Sequence, residues 1–220
     1  MIRMMIKKAD FSVCQQMQQN IYKIMFARED VYDEPTERDE EGNIISTGER
    51  KETDYCNATT EMFYHKPSPD FITRMLKDYG LIDMAEANEL LSHFTDNTVP
   101  YMKDIMLNNI ALYDKSDNVN GFTLGGRNVW IPVELRNNLR NLTLPTEKAR
   151  GKEDTSLWLN GVSYTLPITT IEGMLQSIEE YAKDCLDVTE THKSAVNGMT
   201  SVEELIAFDY KADYPERLKF

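Results

Sequence analysis

Two glycines and two prolines that recur at one common offset constrain this chain more than any other feature. Phe122-Thr-Leu-Gly-Gly126-Arg-Asn-Val-Trp-Ile-Pro132-Val is echoed by Leu157-Trp-Leu-Asn-Gly161-Val-Ser-Tyr-Thr-Leu-Pro167-Ile. Each copy alternates apolar residues, turns on two residues, alternates again, and ends in proline followed by a helical pattern. Gly125-Gly126 and Asn160-Gly161 are turns that require positive φ, the strongest short-range hairpin signal. The echo therefore predicts two tandem β-hairpin–helix units. Pairing outward from the turns puts Phe122, Leu124, Val129 and Ile131 on one face of the first hairpin. The matching face of the second carries Leu157, Leu159, Val162, Tyr164 and Leu166. These faces are expected to pack under helices in a small antiparallel, four-stranded sheet. Trp130, opposite Gly121, and Trp158, opposite Ser163, then project from the reverse face. That face must meet the N-terminal helices, another subunit or a ligand, since large exposed aromatics mark contact surfaces.

The remaining chain reads mainly as helix. Phe11, Cys14, Met17, Ile21, Ile24 and Met25 have helical spacing and predict an amphipathic helix over 9–27. Residues 28–66 lose that period and contain Pro35, Gly42 and Gly48. They predict a long acidic loop with a weak hairpin around Ile44-Ile45; a loop of this length is functional or ordered by a partner. Ser68-Pro69-Asp70 starts a helix that Gly80 stops. Asp83 with Glu86, Thr169 with Glu172 and Thr200 with Glu203 have capping-box spacing, and Thr98 begins another helix. The polar stretch 114–120 marks the expected boundary between a helical region, 1–119, and a hairpin–helix module, 120–220. The aromatic tail ending at Phe220 is expected to dock. The fold class is α+β.

Charge narrows the partners. The 220 residues carry a net charge of −13, which opposes nucleic-acid binding, where affinity comes largely from neutralising phosphates. Residues 29–41 hold Glu29, Asp30, Asp33, Glu34, Glu37, Asp39, Glu40 and Glu41 against Arg38 alone. Residues 127–152 hold Arg127, Arg136, Arg140, Lys148, Arg150 and Lys152 against Glu134 and Glu147. The bland account is a solvated loop and a solvated helix face. The sharper one is that the two patches meet across a subunit boundary, where complementary charge fixes register. No apolar run reaches the ~18 residues of a membrane span, and the first residues do not read as a signal peptide. Cys14, Cys56 and Cys185 are too few and too scattered for a disulfide framework.

The residues do not assemble a catalytic site. His65, His93 and His192 show no metal-ligand spacing with the cysteines. Cys185 and His192 share one helix, about 10 Å apart at ~1.5 Å per residue, too far for a nucleophile–base pair. Gly125-Gly126 lacks the spacing and lysine of a phosphate loop. The expectation is a non-enzyme without cofactor or metal.

A wider pattern surrounds the repeat. Phe122-x-Leu-x-Gly126-x-x-x-Trp130-Ile, Arg136, Thr155-Ser-Leu-Trp158-Leu-x-Gly161 and Leu166-Pro167 lead into Tyr181-Ala-x-x-Cys185, Val188-Thr-x-x-His192-Lys and Phe208-Asp-Tyr210-x-x-x-Tyr214-Pro215. This run, over about residues 120–220, is similar to a family of unknown function found as a C-terminal domain of bacteriophage and prophage tail proteins. Pro132 departs from that family, whose members often carry Asp there. The resemblance implies a structural module and supplies no catalytic residue. It implies a virion component made in the host cytoplasm, a tail or tail-fibre adaptor or attachment protein whose partners are other virion proteins and copies of itself. Interface candidates are Trp130, Trp158, Glu37, Asp39, Glu40, Arg136, Arg140 and Phe220. Two other readings stay open. One is a host-glycan-binding module using Trp130, Trp158 and Tyr164, although Tyr164 falls on the opposite sheet face. The other is a tail-fibre assembly chaperone absent from the particle.

Overall fold

Among the described residues between 2 and 63, strands form where the spacing predicts helix and loop. The computed structural model describes residues 1–33, 36–38, 44–46 and 50–220. Strands β1 (Ile2–Lys7), β2 (Cys14–Gln18), β3 (Ile21–Asp33), β4 (Thr36–Arg38), β5 (Ile44–Ser46) and β6 (Lys51–Phe63) come first. A four-stranded antiparallel sheet runs β1-β6-β3-β2, and β4 pairs with β5.

The helix expected over 9–27 is thus β2, a turn at Gln19-Asn20, and the first half of β3. Its apolar spacing fits a helix by coincidence. What decides the outcome is pairing with β6, whose Thr53, Tyr55, Thr59, Thr60 and Phe63 are β-branched or aromatic and suit a pleated surface. The acidic loop expected over 28–66 instead holds the end of β3 and the whole of β6, two strands that pair antiparallel. The hairpin anticipated at Ile44-Ile45 falls on β5, opposite β4.

The three following helices obey their local signals. Helix α1 (Pro69–Tyr79) starts at Ser68, whose hydroxyl accepts from the Phe71 amide at 3.2 Å, and ends at Gly80 with φ 134°. Asp83 caps α2 (Met84–Ser92) by accepting from the Ala85 and Glu86 amides, both at 3.0 Å. The Glu86 carboxylate, expected to complete a capping box, instead accepts from the Arg28 amide at 3.3 Å. Arg28 sits at a β-bulge where the β3–β6 register shifts after Phe26 and Ala27 takes φ 53°. Ile24, Met25 and Phe26 are fully buried. Phe26 meets Tyr79 edge-on at 5.1 Å, and Phe63 meets Phe71 at 5.5 Å, which seats α1 on the sheet.

Helix α3 (Val99–Asp114) contains the division between two compact units, between Met106 and Leu107. That is upstream of the polar stretch 114–120. The first unit also takes Met199–Phe208, and the second is Leu107–Gly198 with Asp209–Phe220.

In the second unit both repeats form hairpins: β7 (Phe122–Leu124) with β8 (Arg127–Val129), then β9 (Asp154–Leu159) with β10 (Val162–Pro167). Between them lie α4 (Val133–Asn138), a π-helical turn (Leu139–Thr143) and α5 (Leu144–Ala149). The turn dihedrals are positive at both central residues, φ 56° and 79° at Gly125-Gly126 and 49° and 77° at Asn160-Gly161. Only the hairpins repeat: β10 leads into α6 (Ile168–Gly198), which is 31 residues long, whereas α4 has six.

The four-stranded sheet expected here does not form; the hairpins are two separate ribbons. The chain's own tail pairs with β7 instead. Thr123 N–H donates to the Leu218 carbonyl at 2.9 Å, and Phe220 N–H donates to the Thr123 carbonyl at 2.8 Å, a parallel pairing of Thr123 with Lys219. Gly121 leaves room beside it, because a Cβ there would lie 2.9 Å from the Asp117 backbone carbonyl oxygen and would also meet the Arg217 guanidinium. The anticipated inward faces hold: Phe122, Leu124, Val129 and Ile131 are buried with Leu157, Leu159, Ile171 and Leu175, and Tyr164 and Leu166 pack on that core. The last helix, α7 (Val202–Ala207), belongs to the first unit. Its capping box is Ser201 with Glu204, one residue beyond the expected pair.

Candidate interaction surfaces

Trp158 is the one proposed contact residue that the ribbon holds out on a rigid strand. It is 66% exposed. Alternation along β9 puts Ser156 on the same face, and the register puts Ser163 opposite Trp158 and Thr165 opposite Ser156. The Ser156 and Thr165 hydroxyls approach to 3.5 Å. The outer face is therefore one indole among three hydroxyls, backed by the core-facing Leu157 and Leu159. Such a face supplies apolar contact area with adaptable hydrogen-bonding groups around it.

Trp130 does not join it. Residue 130 follows β8 and turns inward, so the indole is half-buried against Val119, Tyr181 and Cys185. Its ring lies 6.4 Å from Phe122, and the Arg136 guanidinium sits 5.2 Å from its centroid. Arg136 is itself only 6% exposed. It donates to Glu179 and to the Ile131 carbonyl, each at 2.8 Å. Trp130 and Arg136 thus clamp the hairpin to α6 and do not form a contact surface. Arg136→Met is expected to cost about 1–3 kcal/mol in chemical denaturation, since the Ile131 carbonyl loses a charged donor while Glu179 keeps access to water. No measurable loss would place the arginine outside the fold's support.

Arg140 is exposed on the π-helical turn. Phe220 is 40% exposed and packs edge-on against Phe122 at 5.4 Å, so its first role is to hold the tail down. Glu37 lies on β4 opposite Ile45; Asp39 and Glu40 lie outside the described residues.

Among the described residues, part of the charge that the sequence left available to a partner is matched within each unit, more of the basic stretch than of the acidic one. On the acidic side, Arg3 pairs with Glu29, Lys8 with Glu52, and Arg28 with Asp30 at 2.9 Å. On the basic side, Lys148 pairs with Glu172 at 2.7 Å, Arg150 with Glu147 at 3.2 Å, and Lys152 with Glu147. Glu172 is held by Lys148 rather than by a capping box. Exposed pairs of this kind contribute little to stability.

A small cavity of about 240 Å³ lies under Trp130, walled by Asp114, Asn120, Tyr181 and Cys185. Tyr181 donates to the Val119 carbonyl at 3.0 Å, and Thr189 donates to Asp114 at 2.8 Å. With its proton committed to Asp114, Thr189 accepts from the Tyr214 hydroxyl, also at 2.8 Å. This chain ties α3, α6 and the tail together. Burial pushes the Cys185 thiol up, and the Asp114 and Asp184 carboxylates add to the shift, the reverse of what activates a nucleophilic thiol. Burial also raises Tyr181 and Tyr214.

A raised native pKa contributes stability below the unfolded value that is lost as pH rises. The urea midpoint is therefore expected to hold to about pH 8, then fall as the unfolded thiol (about 8.5) and phenols (about 10) release protons that the native state keeps. Tyr181→Phe should flatten the limb above about pH 10. An unchanged limb would mean that the phenol is hydrated in the folded state.

Among the described residues no group of three or more His, Cys, Asp or Glu side chains is placed to hold a metal ion, and no helix is long and apolar enough to cross a membrane. Compared with known proteins, the chain matches no family model, no curated protein and no solved structure.

Proposed function

We propose that the chain is a non-enzymatic structural component of a bacteriophage virion, an adaptor or attachment piece of the tail or tail fibre. The observation that carries this reading is the outer face of the β9–β10 ribbon, where Trp158 is 66% exposed on a strand whose other side is core. A large apolar side chain held rigidly in water loses little conformational freedom on docking and suits the centre of a protein contact. The pattern of residues 120–220, read from the sequence as similar to a tail-protein family and matched by no family model, is what turns that contact toward a virion. A thiol raised by burial is a poor nucleophile, which fits a non-enzymatic role for Cys185.

One observation favours a second reading, a host-glycan-binding module. Ser156, Ser163 and Thr165 surround Trp158, a stacking platform ringed by hydroxyls. Tyr164 does not contribute to it, because it packs on the core cluster.

Trp158→Ser separates fold from contact. The substitution is on an exposed strand face, so unfolding should change by no more than about 0.5 kcal/mol. Incorporation into particles is expected to fall at least tenfold. Normal incorporation with lost binding on a glycan array would transfer the indole to the second reading. Normal incorporation with unchanged glycan binding would remove it from both.

A further inference from the structure

The cavity under Trp130 lies apart from the outer face of the β9–β10 ribbon, and its lining is chemically one-sided. Asp114, Asn120, Trp130, Tyr181, Ala182 and Cys185 are among the residues that wall about 240 Å³. That is roughly eight water volumes at ~30 Å³ each, below the ~300–1,000 Å³ of a drug-sized site. A ligand of a few heavy atoms fits.

The donors on this wall are spent, and acceptors are left. Tyr181 gives its proton to the Val119 carbonyl at 3.0 Å, so its phenol oxygen keeps only lone pairs. Asn120 turns its amide nitrogen to the Asp114 carbonyl at 2.6 Å, which leaves its side-chain oxygen to a ligand. Thr189 gives its proton to one Asp114 carboxylate oxygen at 2.8 Å, and no base pairs with that carboxylate among the described residues. Cys185 adds no charge, because burial keeps its thiol protonated.

Asp114 is also half-buried and the last residue of α3, at the end of a helix where the macrodipole is negative. A carboxylate so placed without a counter-charge is destabilising, and a cation beside it relieves the strain on the site. The nearby bases are engaged elsewhere. Arg136 lies over the same indole but pairs with Glu179, and Arg217 donates to the Asp117 carbonyl. Neither lines the cavity.

We propose that this cavity binds a small primary alkylammonium, its N–H groups on Asp114, Asn120 and Tyr181 and its alkyl chain against Trp130. A primary ammonium carries three donors and no acceptor, the complement of this lining. Aromatic walls favour a cation over an anion. A neutral alcohol leaves the carboxylate uncompensated, and a quaternary ammonium brings charge without a donor. A free amine and a lysine side chain share the chemistry required. This inference does not rest on the virion reading.

The test uses the full chain with Trp158→Phe, which leaves Trp130 as its one indole. Its emission should respond saturably to n-butylammonium chloride at constant ionic strength, half-maximally below about 10 mM. n-Butanol and tetramethylammonium should each bind at least tenfold more weakly, the effect of losing a charged hydrogen bond. Asp114→Asn keeps an acceptor for Thr189 but removes the charge, and Ala182→Leu fills the cavity. Each should weaken n-butylammonium at least tenfold, with the parent's circular dichroism. N-acetyl-lysine amide separates the two sources: binding tighter than n-butylammonium supports a protein-borne lysine, and weaker binding supports a free amine. An emission that n-butylammonium leaves unchanged overturns the proposal. So does butanol or tetramethylammonium binding as tightly as n-butylammonium, or a folded Asp114→Asn chain that retains the parent's affinity.

Discussion

Replacing Phe26 by alanine is expected to lower the stability of the first unit by about 3–5 kcal/mol, the range for a fully buried aromatic ring. Phe26 has no exposed surface, lies on the central strand β3, and meets Tyr79 edge-on at 5.1 Å. Its neighbours Ile24 and Met25 are equally buried, so the vacated volume has no mobile loop to fill it. The substitution also discriminates between folds. A helix over 9–27 would carry Phe11, Cys14, Met17, Ile21, Ile24 and Met25 inward and leave Phe26 off the stripe, with a mild effect. Both tryptophans belong to the second unit, so their emission reports the wrong region. Amide exchange along β3 and β6 is the suitable measurement, and the protection of those strands should collapse together. Unchanged protection would contradict the sheet.

Removing residues 214–220 is expected to cost the second unit at least about 3 kcal/mol, the low end for losing an aromatic core contact. The tail contributes Tyr214 to the Thr189 pair, Leu218 to both buried clusters, and Phe220 to the face of Phe122. It also satisfies backbone groups along β7 that the missing four-stranded sheet would otherwise pair. An unpaired strand edge over a newly exposed Phe122 would be left behind. Trp130 packs on the same clusters, so in a Trp158→Phe background its emission should shift to the red and its urea midpoint should fall. A truncated chain with the parent's emission and midpoint would mean that the tail rests on the surface without supporting it.

How much of this was legible in the sequence depended on how local the signal was. The two hairpin turns were readable because Gly-Gly and Asn-Gly encode positive φ within the turn itself. Ser68, Pro69, Gly80 and Asp83 were readable for the same reason: each acts within one helical turn. Misreadings came where a distant partner decided. The amphipathic spacing of Phe11 to Met25 was real, but β6, more than thirty residues on, converts it to strand. The acids after Arg28 suggested a solvated loop, whereas Glu29 and Asp30 sit on β3 opposite Asn57 and Cys56, each within reach of a base. Trp130 aligns with Thr165 in the echo and Trp158 with Thr123, yet pairing outward from the turns puts both tryptophans on the reverse face. They part because the first follows its strand and turns under α6, while the second stays on the ribbon. Arg136 looked like surface charge because nothing local announces Glu179.

The most direct test of the proposed virion role is quantitative mass spectrometry of purified particles, with the chain measured against the major tail protein in particles and in the spent lysate. The account predicts the chain in the particle at a fixed, small-integer ratio that survives repeated purification. Abundant chain in the lysate and none in the particle would contradict it, and would make this protein an assembly factor that leaves before the virion is complete.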